Sequence, residues 1–243
     1  MTDLSLTQEY YLCAVNAKGR IPFGQSEVAP VGLLASAVLE LLARGLIARD
    51  DQDKLTISQP DTTDYTQPLD QPIPAVAGGL VVEDSLSYLR PLYDTVASFG
   101  KPKTLKGLVD HYVLGLSNKP FNALLAAIGQ SLWSAECADL VPTNNPAKQR
   151  YAPRRDATTR VIEKIRAEFL EPGPMDDDTI CLAALLNTGG LIRSYFSKFE
   201  ATALKARLKE VRRSELPASF QEMLDYFDQV IATMVVLAAA GAA

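Results

Sequence analysis

The alternation of apolar and polar positions predicts a protein built mainly of helices. From Val31 to Ala43 the only polar residues are Ser36 and Glu40, and Gly45 follows where a helix would end. A helix with so narrow a polar stripe is predicted to lie deep inside the protein. Further helices are predicted at about Glu83–Phe99, Thr104–Leu114, Phe121–Ala135 and Glu200–Arg213, around Val161–Phe169 and Ile180–Leu186, and from near Ser219 into the C-terminus.

The first helix is predicted from its start signal. Ser5 is followed three positions later by Gln8, which is the spacing of a capping box. Gly19 lies where the helix should already have ended. We expect this helix to be short and half buried.

Two hairpins are predicted between the helices. In Leu46–Ser58 two short apolar stretches flank four turn-forming residues, and Asp139–Asp156 interrupts the helical pattern with prolines and asparagines. Gln59–Pro74 has no helical period, so an irregular surface segment is predicted there. The expected fold is mainly α, a single compact domain over residues 1–243 around buried apolar helices, with small β-hairpins.

Composition excludes several broad classes of protein. Apolar residues make up 47% of the 243 positions, which rules out general disorder, and the net charge of −5 rules out a globally basic protein that coats nucleic acid. Cys13, Cys137 and Cys181 fit no disulfide framework, so a reducing, cytoplasmic location is expected. The N-terminus has no basic segment typical of a secretory signal. Val230–Ala243 is an apolar run too short to cross a bilayer and is predicted to be a buried helix.

The residue patterns predict no catalytic residue, no metal ligand and no cofactor. The single histidine, His111, follows Asp110 on a predicted helix flanked by core-type residues. The three cysteines have no metal-ligand spacing and are expected in or near the core. Glycine-rich nucleotide motifs do not occur in the sequence. These patterns therefore give no support for catalysis.

Positive charge is concentrated in two segments of the sequence. Thr143–Arg166 holds seven cations against two carboxylates, and Lys198–Arg213 holds six against two, so their net charges are +5 and +4. The rest of the chain therefore carries −14. Two interpretations stay open. The segments are either solvated helix faces balanced by acids elsewhere, or a surface that binds anionic head groups.

Several blocks of the sequence are similar to one known family. The N-terminal block Leu4–Gly45 places Glu9, Leu39 and Glu40, among others, at the family's characteristic positions. The segment RVIEKIRAEFL, the apolar CLAALL and the closing VIATMVVLAAA follow its later helices in order. On these residues the chain resembles the Golgi phosphoprotein 3 family over nearly its whole length.

The resemblance implies a compact, mainly helical and non-enzymatic protein. Eukaryotic members bind phosphatidylinositol 4-phosphate on Golgi membranes and the cytosolic tails of resident enzymes, and a hairpin serves membrane insertion and self-association. A homo-oligomer formed through the hairpin is therefore expected. The family's head-group pocket uses one tryptophan and three arginines. Gln25 and Leu34 stand at the tryptophan and first arginine positions, and no arginine occurs between Arg90 and Arg150, where the other two belong.

The leading hypothesis is a peripherally membrane-associated adaptor that binds anionic, phosphoinositide-like phospholipid head groups through a basic hairpin. The turn of this hairpin is predicted at Asn144–Lys148, and its second arm is basic. Each cation near an anionic leaflet contributes roughly 1 kcal/mol, so binding should be weak and sensitive to salt. The candidate head-group residues are Lys148, Arg150, Tyr151, Arg154, Arg155 and Arg160.

Two alternatives remain open. The order helix, helix, hairpin over residues 8–58 suggests a winged-helix-like nucleic-acid-binding regulator. The helix that would read the groove offers a single basic side chain, Arg44, so nucleic acid is not the expected partner. The other alternative is a binder of cytosolic protein tails whose affinity for lipid is incidental.

Overall fold

The protein is mainly helical, as predicted. The structure, a computed structural model, describes residues 4–22, 28–52, 54–58, 86–113, 115, 117–145, 149–171, 173, 175–214 and 216–241. Helices account for 66% of it, and the strands form only small antiparallel pairs. The helices are α1 (Leu6–Ala14), α2 (Ala29–Ala43), α3 (Arg90–Ser98), α4 (Leu105–Tyr112), α5 (Lys119–Ser134), α6 (Arg155–Leu170), α7 (Asp177–Thr188), α8 (Ile192–Tyr195), α9 (Lys198–Ser214) and α10 (Ala218–Gly241).

Helix α1 lies in the centre of the core. Its capping box is present as predicted, because the Gln8 N–H donates to Ser5 Oγ and the Ser5 N–H donates to Gln8 Oε1. Every residue from Leu6 to Ala14 except Gln8 is buried. The prediction of a half-buried helix is therefore wrong. Its polar side chains look like surface residues in the sequence, but α2, α5, α6 and α7 all pack against α1.

Helix α2 packs against α1 and is almost entirely buried. All residues from Ala29 to Leu41 are buried, and Gly45 ends the helix in the left-handed region with φ of 65°. Gly32 permits close contact with α1, since a β-carbon there would lie 2.0 Å from the Tyr10 hydroxyl. A helix buried on all sides cannot enter a nucleic-acid groove. The winged-helix alternative therefore loses its recognition helix.

The predicted hairpin at Leu46–Ser58 is present as β1 (Ile47–Arg49) and β2 (Lys54–Ile57). The strands are antiparallel, with Ile47 opposite Ile57. A third strand, β3 (Lys103–Thr104), pairs with β2 and was not predicted, because two residues carry no readable alternation. Thr104 then caps α4, where its hydroxyl accepts a hydrogen bond from the Gly107 N–H.

The second predicted hairpin consists of β4 (Ala138–Val141) and β5 (Arg150–Pro153). Leu140 lies opposite Tyr151 and Val141 lies opposite Arg150. Both strands pack against α5, and α6 follows β5 directly. The basic second arm of the hairpin is therefore fixed to the body of the protein along α5.

The structure tests some of the remaining sequence predictions, and others lie outside the described residues. Cys13, Cys137 and Cys181 are buried, as expected. Gln59–Pro74 lies outside the described residues. Helix α10 extends the predicted C-terminal helix to Gly241, and the side chains of Phe227 and Ile231 are buried. No helix in the described part of the chain combines the length and apolar character that crossing a bilayer requires.

Candidate functional site

The first basic segment is largely neutralised by ion pairs. Arg154 and Arg160 both contact the carboxylate of Asp156, at 3.4 and 3.0 Å. The hydrogen bond from Arg160 is the main cause that holds the pKa of Asp156 below its usual value. Two of the predicted head-group residues are therefore engaged with one carboxylate on the surface.

Two further cations of this segment hold helices together. Lys164 on α6 contacts Glu9 on α1 and Asp176 at the start of α7, both at 3.5 Å. Burial raises the pKa of Glu9 to about 7, against the opposing effect of Lys164. Arg166 contacts Glu163 on its own helix and donates to Glu200 on α9 at 2.8 Å. The net charge of +5 in the sequence therefore overstates the free positive charge in the structure.

The other predicted head-group residues differ in their surroundings. Arg155 is exposed and Arg150 half-buried, and within the described part of the chain neither has a carboxylate partner. Tyr151 is only 5% exposed and faces the body of the protein, where its carbonyl accepts a hydrogen bond from the Tyr11 hydroxyl at 2.8 Å. Lys148 lies outside the described residues. Of the predicted set, Arg150 and Arg155 thus keep charge that is available to a ligand.

Arg150 lies on the wall of a cavity of about 840 Å³. The cavity is lined by the loop after α1, the first half of α5 and strand β5, together with Pro30 of α2 and Tyr112 of α4. Arg20 from the loop and Lys119 from the start of α5 also line it. No carboxylate is found among the described residues around the cavity, and in this part of the chain none of the three cations forms an ion pair. The structure thus brings together three positive charges that lie far apart in the sequence.

The loop after α1 fixes Arg20 and packs closely against Arg150. The Asn16 side chain accepts hydrogen bonds from the N–H groups of Lys18 and Arg20, at 2.8 and 3.2 Å. Gly19 has φ of 63°, and a β-carbon there would lie 2.8 Å from the β-carbon of Arg150. Only glycine allows the loop and β5 to approach so closely. The turn therefore places Gly19, the residue before Arg20, directly against Arg150.

Aromatic rings and amides complete the cavity. Burial raises the pKa of Tyr112 to about 12 and also raises the pKa of Tyr11, so both phenols remain neutral at physiological pH. The Tyr112 hydroxyl donates to the Pro91 carbonyl at 3.0 Å, which fixes that ring. The other aromatic and amide residues around the cavity are Phe121, Tyr151, Asn118, Asn122 and Gln149. Cations and amide donors beside apolar rings suit a ligand that has both a phosphate and a hydroxylated or apolar part.

The sequence identified only Arg150 among the cavity cations. Arg20 and Lys119 were missed because neither lies in a segment with a net excess of positive charge large enough to stand out in the sequence. Leu34, at one aligned position of the family pocket, is fully buried in α2, and Gln25 lies outside the described residues. Lys119 lies on the helix before the hairpin, where the family places two arginines, so a cation is present there although no arginine is.

The fold and the cavity define a class, namely a mainly helical protein in which small hairpins pack on buried helices and a basic cavity opens beside one of them. The family model described as Golgi phosphoprotein 3 (GPP34) matches residues 6–227 of the 243 residues. The chain therefore belongs to the Golgi phosphoprotein 3 family. No curated protein gives a significant match to the chain. The matched residues include both hairpins and every cation of the cavity.

Proposed function

We propose that this protein is a non-enzymatic, peripheral membrane adaptor that binds the phosphate-bearing head group of an anionic phospholipid in the cavity. The observation that carries the proposal is that Arg20, Lys119 and Arg150 all line one space with no carboxylate among its described lining residues. A phosphate would supply the missing negative charge and accept charge-assisted hydrogen bonds from all three cations. The volume is in the range of small-molecule sites.

Two exposed apolar side chains support an orientation of the protein on the bilayer. Trp133 is 50% exposed near the end of α5, and Leu140 is 43% exposed on β4. Both lie beside Tyr151: the Trp133 ring is 6.5 Å from its ring, and Leu140 is its cross-strand partner. Tryptophan favours the membrane–water interface. In the proposed orientation these residues enter the interface while Arg155 meets the surrounding head groups.

The cavity can be tested by vesicle flotation of the full chain. Phosphatidylcholine vesicles would be compared with vesicles that also contain phosphatidylserine or phosphatidylinositol 4-phosphate. Arg150→Gln should weaken binding to anionic vesicles about fivefold, and substitution of all three cavity cations by glutamine roughly 100-fold, since each cation contributes about 1 kcal/mol. Preference for the phosphomonoester over phosphatidylserine should disappear in the triple variant, because only the cavity surrounds the head group.

Arg155→Gln is the matched control, because Arg155 follows the same strand, loses the same charge and lies outside the cavity lining. It should reduce binding less than Arg150→Gln and keep the preference for phosphatidylinositol 4-phosphate. If Arg155→Gln has the larger effect, the hairpin surface binds the lipid and the cavity does not. Circular dichroism of each variant would show that the fold is intact.

Self-association through the β4–β5 hairpin and binding of cytosolic protein tails remain part of the same proposal. Light scattering after size-exclusion chromatography, at two protein concentrations, tests the first. Leu140→Ser should shift an oligomer toward the monomer, since it removes an exposed apolar group from the hairpin. An unchanged mass would assign the oligomer to another surface.

A further inference from the structure

Helix α9 carries positive charge that the fold does not use. Its two carboxylates are both engaged, Glu200 with Arg166 and Glu210 with Arg207. Arg212, on the same helix, contacts Asp225 and Asp228 on α10. The three lysines of α9 are exposed, and within the described part of the chain none has a carboxylate partner. These lysines are Lys198, Lys205 and Lys209.

The three lysines lie on one side of the helix. Steps of seven and four residues place Lys198, Lys205 and Lys209 within an arc of about 40°, at rises of about 10.5 and 6 Å along the axis. Leu204 and Leu208, on another side, are buried against the protein. The packed side fixes α9 in the body. The lysine side is therefore free to meet a partner without any rearrangement of the helix.

An aromatic side chain adjoins the lysines. Phe199 is 83% exposed and follows Lys198 directly. By helical geometry it points away from the side on which Leu208 is buried. The residues around it on the outer side, Thr202 and Ala206, are small and exposed. This exposed phenylalanine, which follows Lys198 and is turned about a quarter of the helix circumference away from the lysines, has no role in the core and is typical of a helix that lies at a membrane surface.

We infer that the outer face of α9, defined by Lys198, Phe199, Lys205 and Lys209, is a second contact with an anionic bilayer. It acts separately from the cavity, because α9 packs on α6, α7 and α8, whereas the cavity lies by α5 and β5. The lysines meet anionic head groups, and Phe199 enters the interface beside them. A protein helix as partner would need a groove to receive it, whereas this face is convex, and a bilayer adapts to a convex surface.

The test uses the full chain with phosphatidylcholine vesicles, with and without phosphatidylserine, at low salt. The triple variant Lys198→Gln, Lys205→Gln, Lys209→Gln should lower binding to the anionic vesicles on the order of 100-fold. Phe199→Ala should weaken it severalfold and leave the salt dependence unchanged. A comparison variant replaces three other lysines, Lys101, Lys103 and Lys106, by glutamine. It removes the same formal charge, but Lys106 is paired with Asp110, so binding should change far less.

The same variants in a chain that already lacks the three cavity cations separate the two proposals. Loss of the residual binding to phosphatidylserine there supports the α9 contact, even if the cavity shows no head-group preference. Equal effects of the α9 and control variants would overturn the α9 contact and leave the cavity untouched. If the α9 variant instead loses affinity for polyglutamate or duplex DNA while vesicle binding persists, the partner is a macromolecule and the bilayer proposal is wrong.

Discussion

The charged groups near the two ends of α1 differ in whether they have partners. Near its start the carboxylates of Glu9 and Glu40 are buried and receive donors from α1, α6 and the short 3-10 helix Leu86–Leu89 that precedes α3. Beyond its end Arg20 and Arg150 face a cavity in which no carboxylate is found among the described residues. Paired charge fixes the helices in place, whereas unpaired charge is free to bind a ligand. Residues that hold the fold together therefore differ from the residues of the candidate site in whether their charge is paired.

The carboxylate of Glu40 shows how the buried end is satisfied. It accepts hydrogen bonds from the Tyr88 hydroxyl and the Thr7 N–H, and the Tyr88 hydroxyl also reaches Ser5 at 2.7 Å. Burial raises the pKa of Glu40, while these hydrogen bonds act in the opposite direction. This network joins α1, α2 and the 3-10 helix Leu86–Leu89, so its polar groups belong to the core.

The largest expected effect on stability concerns the close packing of α2 against α1 at Gly32 and Tyr10. Gly32→Ala would place a β-carbon 2.0 Å from the Tyr10 hydroxyl, and the Tyr10 ring is fully buried and cannot move aside. We expect a loss of about 3 kcal/mol in the free energy of unfolding, more than the roughly 1 kcal/mol gained in helix propensity. Urea denaturation measures the difference.

Gly100→Ala is the control for this substitution. A β-carbon at Gly100 meets no atom within 4 Å, and the residue is exposed. Its stability should stay within about 0.5 kcal/mol of the native chain. A small effect of Gly32→Ala would mean that α1 and α2 are less tightly packed than the structure indicates.

The next effect concerns pH at the buried end. The folded protein raises the pKa of Glu9 from 4.5 to about 7, mainly by burial. Between these values the folded state holds a proton that the unfolded state has released, so stability falls as the pH rises through this window. The loss approaches about 3 kcal/mol at pH 7. In Glu9→Gln this part of the pH dependence should be absent, which denaturation at several pH values would detect.

The groups that face Glu9 decide how the result is interpreted. Lys164 contacts it, and Asp176 and Asp178 add repulsion. In Glu9→Gln the ammonium group of Lys164 keeps Asp176 as a partner at 3.5 Å, so the substitution leaves no unpaired buried cation. If the native chain and Glu9→Gln lose stability equally between pH 4.5 and 7, Glu9 is ionised throughout and the pair is stronger than its burial implies.

A smaller effect is expected where an arginine is paired near the surface. Arg212 donates to Asp228 at 2.7 Å and to Asp225 at 2.8 Å, and its side chain is only 18% exposed. Arg212→Gln should therefore cost about 1–2 kcal/mol, because two charge-assisted hydrogen bonds between α9 and α10 are lost. High salt should reduce this difference, whereas an effect that salt does not change would point to packing of the arginine stem.

The difference between local and distant partners also explains which features the sequence could predict. Apolar periodicity identified the helices, and the capping box at Ser5 marked the start of α1, because these signals are local. The burial of α1 was missed, since Glu9 finds its partner Lys164 on a distant helix. For the same reason the first basic segment has more positive charge in the sequence than is free in the structure, because Lys164 and Arg166 find carboxylate partners outside the segment. The cavity depends on side chains from three separate segments, and no local sequence pattern predicts that they line the same space.

The smallest effect on stability is expected at the site itself. Arg150 has no ion pair in the described part of the chain, and its neighbours in the cavity include Arg20 and Lys119. Removal of its charge relieves repulsion and breaks no pair, so the free energy of unfolding of Arg150→Gln should stay within about 0.5 kcal/mol of the native value or rise slightly. Thermal unfolding with and without phosphatidylinositol 4-phosphate vesicles would measure both consequences. If Arg150 serves a ligand, the native chain and Arg150→Gln should be equally stable without vesicles. The vesicles should then stabilise the native chain more than they stabilise Arg150→Gln. A large loss of stability in the absence of lipid would instead make Arg150 part of the fold, like the paired arginines of α6 and α9.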